Sequence, residues 1–235
     1  VPLTFNHTPQ PTPDGGPFYA ETDFSHAIVE PWNAFSSLTF LIPVIYWAWR
    51  LRGQYRHYWF ITLAMPLLAL GGIGSTVFHA FRSSPLFLQM DVLPILVLTL
   101  SVSVWLWAKV FPHWIYVIGL LILYSVINFW LIGLGGFSAH AQINISYFLR
   151  GTMIFLPALL LQLRTNFVGL RAIVTATILF IVALIFRRSD MPLAWMPMGT
   201  HWLWHVCCAI GAHYLALYLY LLEQEPQHVS SLQAK

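Results

Sequence analysis

Apolar residues run along this chain in long blocks, separated by short breaks that hold Arg, Lys, Gly or Pro. A bilayer core about 30 Å thick needs roughly 20 apolar residues per helix. Seven stretches reach that length: residues 30–50, 58–81, 85–108, 113–134, 141–163, 168–186 and 199–222. The breaks leave no room for a second, soluble domain. Residues 1–29 are polar and rich in Pro and Gly, and they lack the basic start and apolar centre of a cleavable signal peptide. The pattern predicts an extramembrane arm over 1–29, a seven-helix transmembrane domain over 30–222 and a tail over 223–235. The fold class is an all-α integral membrane bundle.

Composition sharpens this picture. The chain is 58% hydrophobic and 8% charged, whereas soluble domains carry about 25% charged residues. A soluble globular protein is therefore excluded. Eleven Lys and Arg against eight Asp and Glu give a net charge of +3. The basic residues are scattered, so neither a nucleic-acid footprint nor a polybasic headgroup patch is expected. Cys207 and Cys208 are adjacent in an apolar run and have no other cysteine to pair with, which excludes a disulfide framework.

Short cytoplasmic loops are enriched in Lys and Arg. Arg50, Arg52, Arg56, Lys109, Arg164, Arg171 and Lys235 fall on one side of the seven spans, and Arg82, Arg187 and Arg188 on the other. This places the N-terminus outside and the C-terminus in the cytoplasm, in a multi-pass protein whose host membrane is not specified. Trp32, Tyr58, Trp59, Trp114, Trp195 and Tyr220 lie near span ends and read as interface anchors.

Ionisable groups at membrane depth are costly and mark candidate function. The second span ends Gly71-Gly72-Ile73-Gly74-Ser75-Thr76-Val77-Phe78-His79. Its i, i+4 spacing puts Ser75 and His79 on one face, and the small residues before them let another helix come close. Asp91 lies about two turns into the third span. The seventh span opens His201-Trp202-Leu203-Trp204-His205, again with an i, i+4 pair. The predicted topology sets His79, Asp91, His201 and His205 at one depth near the outer end. Three imidazoles from two helices, with a carboxylate in reach, suit a zinc ion with an open fourth position. Copper and non-haem iron also accept imidazole, so zinc is inferred from the pattern as a whole.

These residues carry a resemblance. Gly72-Ile73-Gly74-Ser75-x-x-Phe78-His79, then Asp91, then His201-x-Trp-x-His205, together with Glu30-Pro-Trp-Asn33-x-x-Ser36-Ser37 on the first span, resemble the alkaline ceramidase family. That family belongs to a superfamily of seven-helix hydrolases with the adiponectin receptors and the Per1 lipid-remodelling proteins. The resemblance implies zinc on His79, His201 and His205, with Ser75 and Asp91 as catalytic side chains. It also implies a calcium site at Glu21, Asp23 and Glu30, with a backbone carbonyl near Tyr19; the alternative for these carboxylates is a solvated acidic arm. Asp23 stands where the family has Asn, and the family's lumenal disulfide has no counterpart. The implied activity is cleavage of the N-acyl amide of a ceramide-like membrane lipid to a fatty acid and a sphingoid base. A Per1-type lipid esterase and a non-enzymatic receptor with a structural zinc are the alternatives.

Overall fold

The computed structural model describes residues 12–133, 136–137 and 139–233, with side chains over 12–131, 136–137 and 141–224. The start of the predicted arm and Lys235 lie outside the described residues. Among these residues the architecture is entirely helical, apart from one isolated bridge between Leu193 and Met196. Helix α1 (Pro31–Ser37) runs through a 3₁₀ turn at Leu38–Phe40 into α2 (Leu41–Arg50). There follow α3 (Trp59–Phe81), α4 (Pro85–Val110), α5 (Trp114–Gly133), α6 (Ala139–Arg164), α7 (Leu170–Arg188) and α8 (His201–Gln233).

Helices α3 to α8 are each long and apolar enough to cross a membrane, which fits a multi-pass membrane protein. The first predicted span is present as the uninterrupted run α1, 3₁₀ turn, α2. Predicted and observed ends agree within a few residues, with one exception. Helix α8 continues to Gln233, through most of the segment expected as a tail. Many large apolar side chains face outward, among them Ile115, Ile122 and Phe129 on α5 and Ile178 and Ile185 on α7. In water such a surface would be a liability; against hydrocarbon it is the expected exterior of a spanning helix.

The bundle has two different ends. One is filled by a core that includes Trp47, Leu51, Tyr58, Phe60, Leu106 and Tyr218. Tyr58 and Tyr220, expected as interface anchors, are buried there with ring centroids 4.7 Å apart. The Tyr220 hydroxyl accepts hydrogen bonds from Arg50 Nη2 (2.6 Å) and Gln224 Nε2 (2.7 Å). Pairing the polar tips inside the bundle competes successfully with placing them at a water interface. Trp32, Trp59, Trp114 and Trp195 are exposed, as anchors would be.

The other end is organised by the glycines of α3. A Cβ on Gly72 would lie 2.8 Å from Phe40 Cβ, so the first span packs directly on the α3 backbone. On Gly74 a Cβ would lie 2.0 Å from the Met90 carbonyl oxygen. Pro94 leaves that carbonyl without its usual helical N–H donor, and the bare Gly74 backbone brings α4 close at this point. Asp91 follows directly on Met90, so the same contact sets its height against Ser75.

Gly74→Ala is expected to force α3 and α4 apart and lower thermal stability in detergent by about 1–3 kcal/mol or more, as overpacking does. Gly119→Ala on α5, where a Cβ meets open space, is the control. It should be neutral or gain up to about 1 kcal/mol from helix propensity.

Candidate metal centre

Two chain reversals place the histidines. Helix α3 ends at Phe81, with Arg82 as its C-cap, which carries His79 into the last turn. Helix α8 begins at His201, and the Asp190 carboxylate holds its start. Asp190 Oδ1 accepts from the backbone N–H of Thr200 (2.8 Å) and His201 (3.0 Å). Asp190 Oδ2 accepts from the Ala20 N–H (3.0 Å), tying the arm to the same corner. Gly199 makes the approach feasible: its φ is +71°, and a Cβ there would lie 2.3 Å from Asp190 Oδ1. A carboxylate on free N–H groups at a helix start is favourable both as a cap and toward the dipole.

His79, His201 and His205 converge, with one candidate ligand atom from each lying within 4.8 Å of the others. All three are buried, at 1%, 1% and 3% exposure. Two have their other ring nitrogen already engaged. His79 Nδ1 bonds Glu30 Oε2, and His205 Nδ1 faces Ser36 Oγ (2.9 Å) and Ser37 Oγ (3.2 Å). Both serine hydroxyls also reach the Asn33 carbonyl. Such partners fix ring orientation and tautomer, as in known metal sites where the second nitrogen is held by a carboxylate or oxygen. His201 stacks on Tyr19 with ring centroids 4.0 Å apart, and its buried Nδ1 has no hydrogen-bond partner. Three buried imidazoles, two with the outward nitrogen held and the third with a spare ring nitrogen, fit a borderline-soft divalent ion such as zinc.

Ser75 and Asp91 stand beside this cluster without joining it. Ser37 Oγ donates to Ser75 Oγ (3.0 Å), and Asp91 lies against the Ser75 hydroxyl. Both line a cavity of ≈ 380 Å³ that also takes in Tyr19, His201 and His205. Its lining extends along α8 from His201 to Leu219, about 27 Å at a rise of ~1.5 Å per residue. Beyond the polar end the walls are apolar, with Leu68, Ile95, Phe155 and Phe180 among them.

The acidic arm departs from expectation. Glu21, Asp23 and Glu30 are not drawn into one cluster; among the described residues His79, His201 and His205 form the only group placed to hold a metal. The Glu21 carboxylate accepts the N–H of Trp32 (3.0 Å) and Asn33 (2.6 Å) and so caps α1. Burial raises its pKa even though these N–H groups pull it down. Asp23 is exposed and bonds the neighbouring Ser25. Glu30 is fully buried and is shared by His79, Thr22 and Arg82. Arg82 also bonds Asp14 through Nε and Nη2 and the Pro17 carbonyl (2.9 Å). A guanidinium thus sits among the oxygens where the resemblance implied a hard cation. Arg82 takes φ 48°, ψ 27°, a left-handed conformation that costs a non-glycine residue about 1–2 kcal/mol. Its side-chain bonds hold it there.

The sequence pattern grouped His79, His201 and His205, which the structure brings together, and named Ser75 and Asp91, which the structure sets on one cavity with His201 and His205. It missed the roles of Tyr19, Asp190 and Arg82. It also placed Arg187 just beyond the end of the sixth span. Instead Arg187 turns inward to line the cavity beside the Tyr19 hydroxyl. Glu30 and Ser36 were present in the first-span motif, but their contact with the histidines spans 49 and 169 residues respectively. No protein-family model matches this chain, and no curated protein matches it.

Asp14 and Glu30 both hold Arg82, but only Glu30 touches a histidine. Glu30→Gln should therefore weaken zinc binding by about 10–100-fold, while Asp14→Asn leaves zinc affinity near wild type in the same titration. Burial by itself would raise the Asp14 carboxyl, yet Arg82, the Gly16 N–H and Thr12 bring it below the usual aspartate range. Because it then titrates below the ~3.9 of an unfolded aspartate, its stabilisation is complete above that pH. It is lost as pH falls through the lower folded value. Thermal unfolding from pH 7 to about 2 should show a wild-type decline at the acid end that Asp14→Asn largely lacks. The variant should already be less stable at pH 7, by on the order of a few kcal/mol.

Proposed function

We propose that the chain is a zinc-dependent intramembrane hydrolase that cleaves the amide of a ceramide-like lipid to a fatty acid and an amine base. The observation that carries this reading is a separation of roles. Three buried histidines lie close enough together to hold a metal ion, while Asp91 and Ser75 line a cavity with two of them, His201 and His205, outside that group. A structural zinc is normally closed by a fourth protein ligand, and the described residues offer three. This supports catalysis over the receptor alternative. Amide and ester cleavage pass through the same kind of tetrahedral species, so the Per1-type esterase differs in substrate more than in machinery.

A bound zinc supplies Lewis acidity, which polarises a carbonyl and acidifies water. The chain's own groups do the rest. The apolar cavity receives the lipid tail and excludes bulk water, which strengthens polar interactions at its end. Asp91 accepts the proton of the attacking water and returns it to the leaving nitrogen. Ser75, held by Ser37, donates its hydroxyl hydrogen to the oxyanion that develops on the acyl carbonyl. Glu30, Ser36 and Ser37 keep the imidazoles of His79 and His205 in fixed orientation, and Tyr19 covers His201 from the arm. The membrane orientation read from the basic residues puts this end of the bundle outside.

The protein should purify with about one zinc per chain, and His201→Ala combined with His205→Ala should abolish both zinc and activity. Asp91→Asn should retain zinc but lose roughly 100-fold or more in turnover per bound ion on a short-chain ceramide; Ser75→Ala should lose less. Unchanged turnover in Asp91→Asn would remove the mechanism, whereas loss of zinc would make Asp91 a ligand and favour a structural site. A matched ester assayed in parallel separates the two hydrolase readings.

A further inference from the structure

Arg82 has carboxylate partners in Asp14 and Glu30, but two other cations in the interior do not. Arg150 on α6 and Arg187 on α7 both line the cavity, and among the described residues neither forms an ion pair with a carboxylate. Each guanidinium lies 4.9 Å from the centre of the Tyr147 ring, so the two stand no further apart than twice that distance. Arg150 Nε is buried and without a hydrogen-bond partner. Arg187 also faces the Trp204 ring at 5.4 Å and lies beside the hydroxyl of Tyr19, the ring stacked on His201.

A cation at membrane depth is costly unless it meets a partner, and the faces of Tyr147 and Trp204 compensate it only in part. Among the described residues Asp91 is the only carboxylate that lines the cavity; it lies against Ser75 and within electrostatic reach of Arg187 without forming an ion pair with it. Two guanidiniums and a divalent ion would leave this end of the cavity strongly positive. A ceramide has a neutral head and brings no charge to balance it. Guanidinium forks match carboxylate and phosphate oxygens, and the charge-assisted bonds they form are about twice as strong as neutral ones.

From this geometry we infer that Arg150 and Arg187 form an anion subsite, so that the preferred substrate is a lipid amide whose head carries a carboxylate or phosphate close to the scissile bond. The inference rests on the amide-hydrolase reading for its substrate, but the subsite itself does not depend on the metal. The tail occupies the apolar length of the cavity, the amide lies at the histidine end, and the acidic head reaches across the Tyr147 ring to the two arginines. Specificity comes from the half-buried guanidiniums, which a neutral head covers without pairing.

The test uses the full chain in neutral detergent, chelator-treated so that a metal cannot itself hold an anion. Binding is compared for N-palmitoylglycine, N-palmitoyl-phosphoethanolamine, neutral N-palmitoylethanolamine and palmitate. At least one acidic amide should bind at least about 10-fold more tightly than the neutral one, and the stronger of the two identifies carboxylate or phosphate. Arg150→Gln combined with Arg187→Gln should erase that advantage while the neutral amide binds at least as tightly as to wild type, which also reports an intact cavity. Equal binding of acidic and neutral amides by wild type would overturn the proposal. So would an advantage that survives in the double variant, or selective retention of palmitate alone, which would assign the arginines to the product. Restoring zinc separates the two readings. Acid-selective binding without hydrolysis of any amide would unseat the hydrolase and leave the subsite, whereas hydrolysis of the neutral amide with no acid preference would do the reverse.

Discussion

The buried carboxylate of Glu30 joins parts of the molecule that otherwise have no reason to meet. It receives His79 from the end of α3, Arg82 from the turn after it and Thr22 from the arm. A carboxylate removed from water must be paired and hydrogen-bonded or give up its charge, and each of these partners is buried or partly buried as well. Imidazole orientation, helix termination and arm docking are thus one constraint. The cation that neutralises Glu30 belongs to the chain itself. This explains why the acidic arm does not gather its carboxylates as a calcium site would: Glu21 is spent on the start of α1 and Glu30 on Arg82.

Around that anchor, close backbone approach does what hydrophobic burial cannot do in lipid. Helices immersed in hydrocarbon gain little from hiding apolar surface from one another, and packing of small residues becomes decisive. Gly72 admits the first span and Gly74 admits α4, one on either side of the residues that lead to Ser75 and His79. Positions of Ser37, Ser75 and Asp91 follow from those two contacts. The far end of the bundle is closed by large aromatic side chains, and the charged side chains on the described cavity wall are Asp91, Arg150 and Arg187.

In the proposed reading, this distribution suits a lipid bound by its tail and processed at its head. The histidines are held from behind by Glu30, Ser36 and Ser37, which leaves little reorganisation to be done when charge develops. Asp91 is kept beside Ser75 by the Gly74 contact yet outside the histidine cluster. The inferred anion subsite adds recognition by charge, on helices that contribute nothing to the histidine cluster.

Much of this was legible along the chain. Seven apolar blocks predicted seven spans, because a membrane segment must satisfy its backbone within a helix and must be long enough to cross; six of the blocks are single helices that meet both conditions, and the first folds as α1, a 3₁₀ turn and α2. The i, i+4 spacings of Ser75 with His79 and of His201 with His205 placed each pair on one face, and costly polar groups at a shared depth singled them out. What the sequence could not decide was partnership. Glu30 is compatible with a cation site, a cap or an imidazole, and only the folded chain shows that His79 and Arg82 claim it. Arg187 sits at the end of an apolar run, where a turn outward to solvent and a turn inward to the cavity leave the same linear pattern. Tyr58 and Tyr220 read as interface residues until the bundle brings them together. Periodicity reports which face a residue occupies; what that face meets depends on contacts between elements far apart in sequence, and those exist only in the tertiary structure.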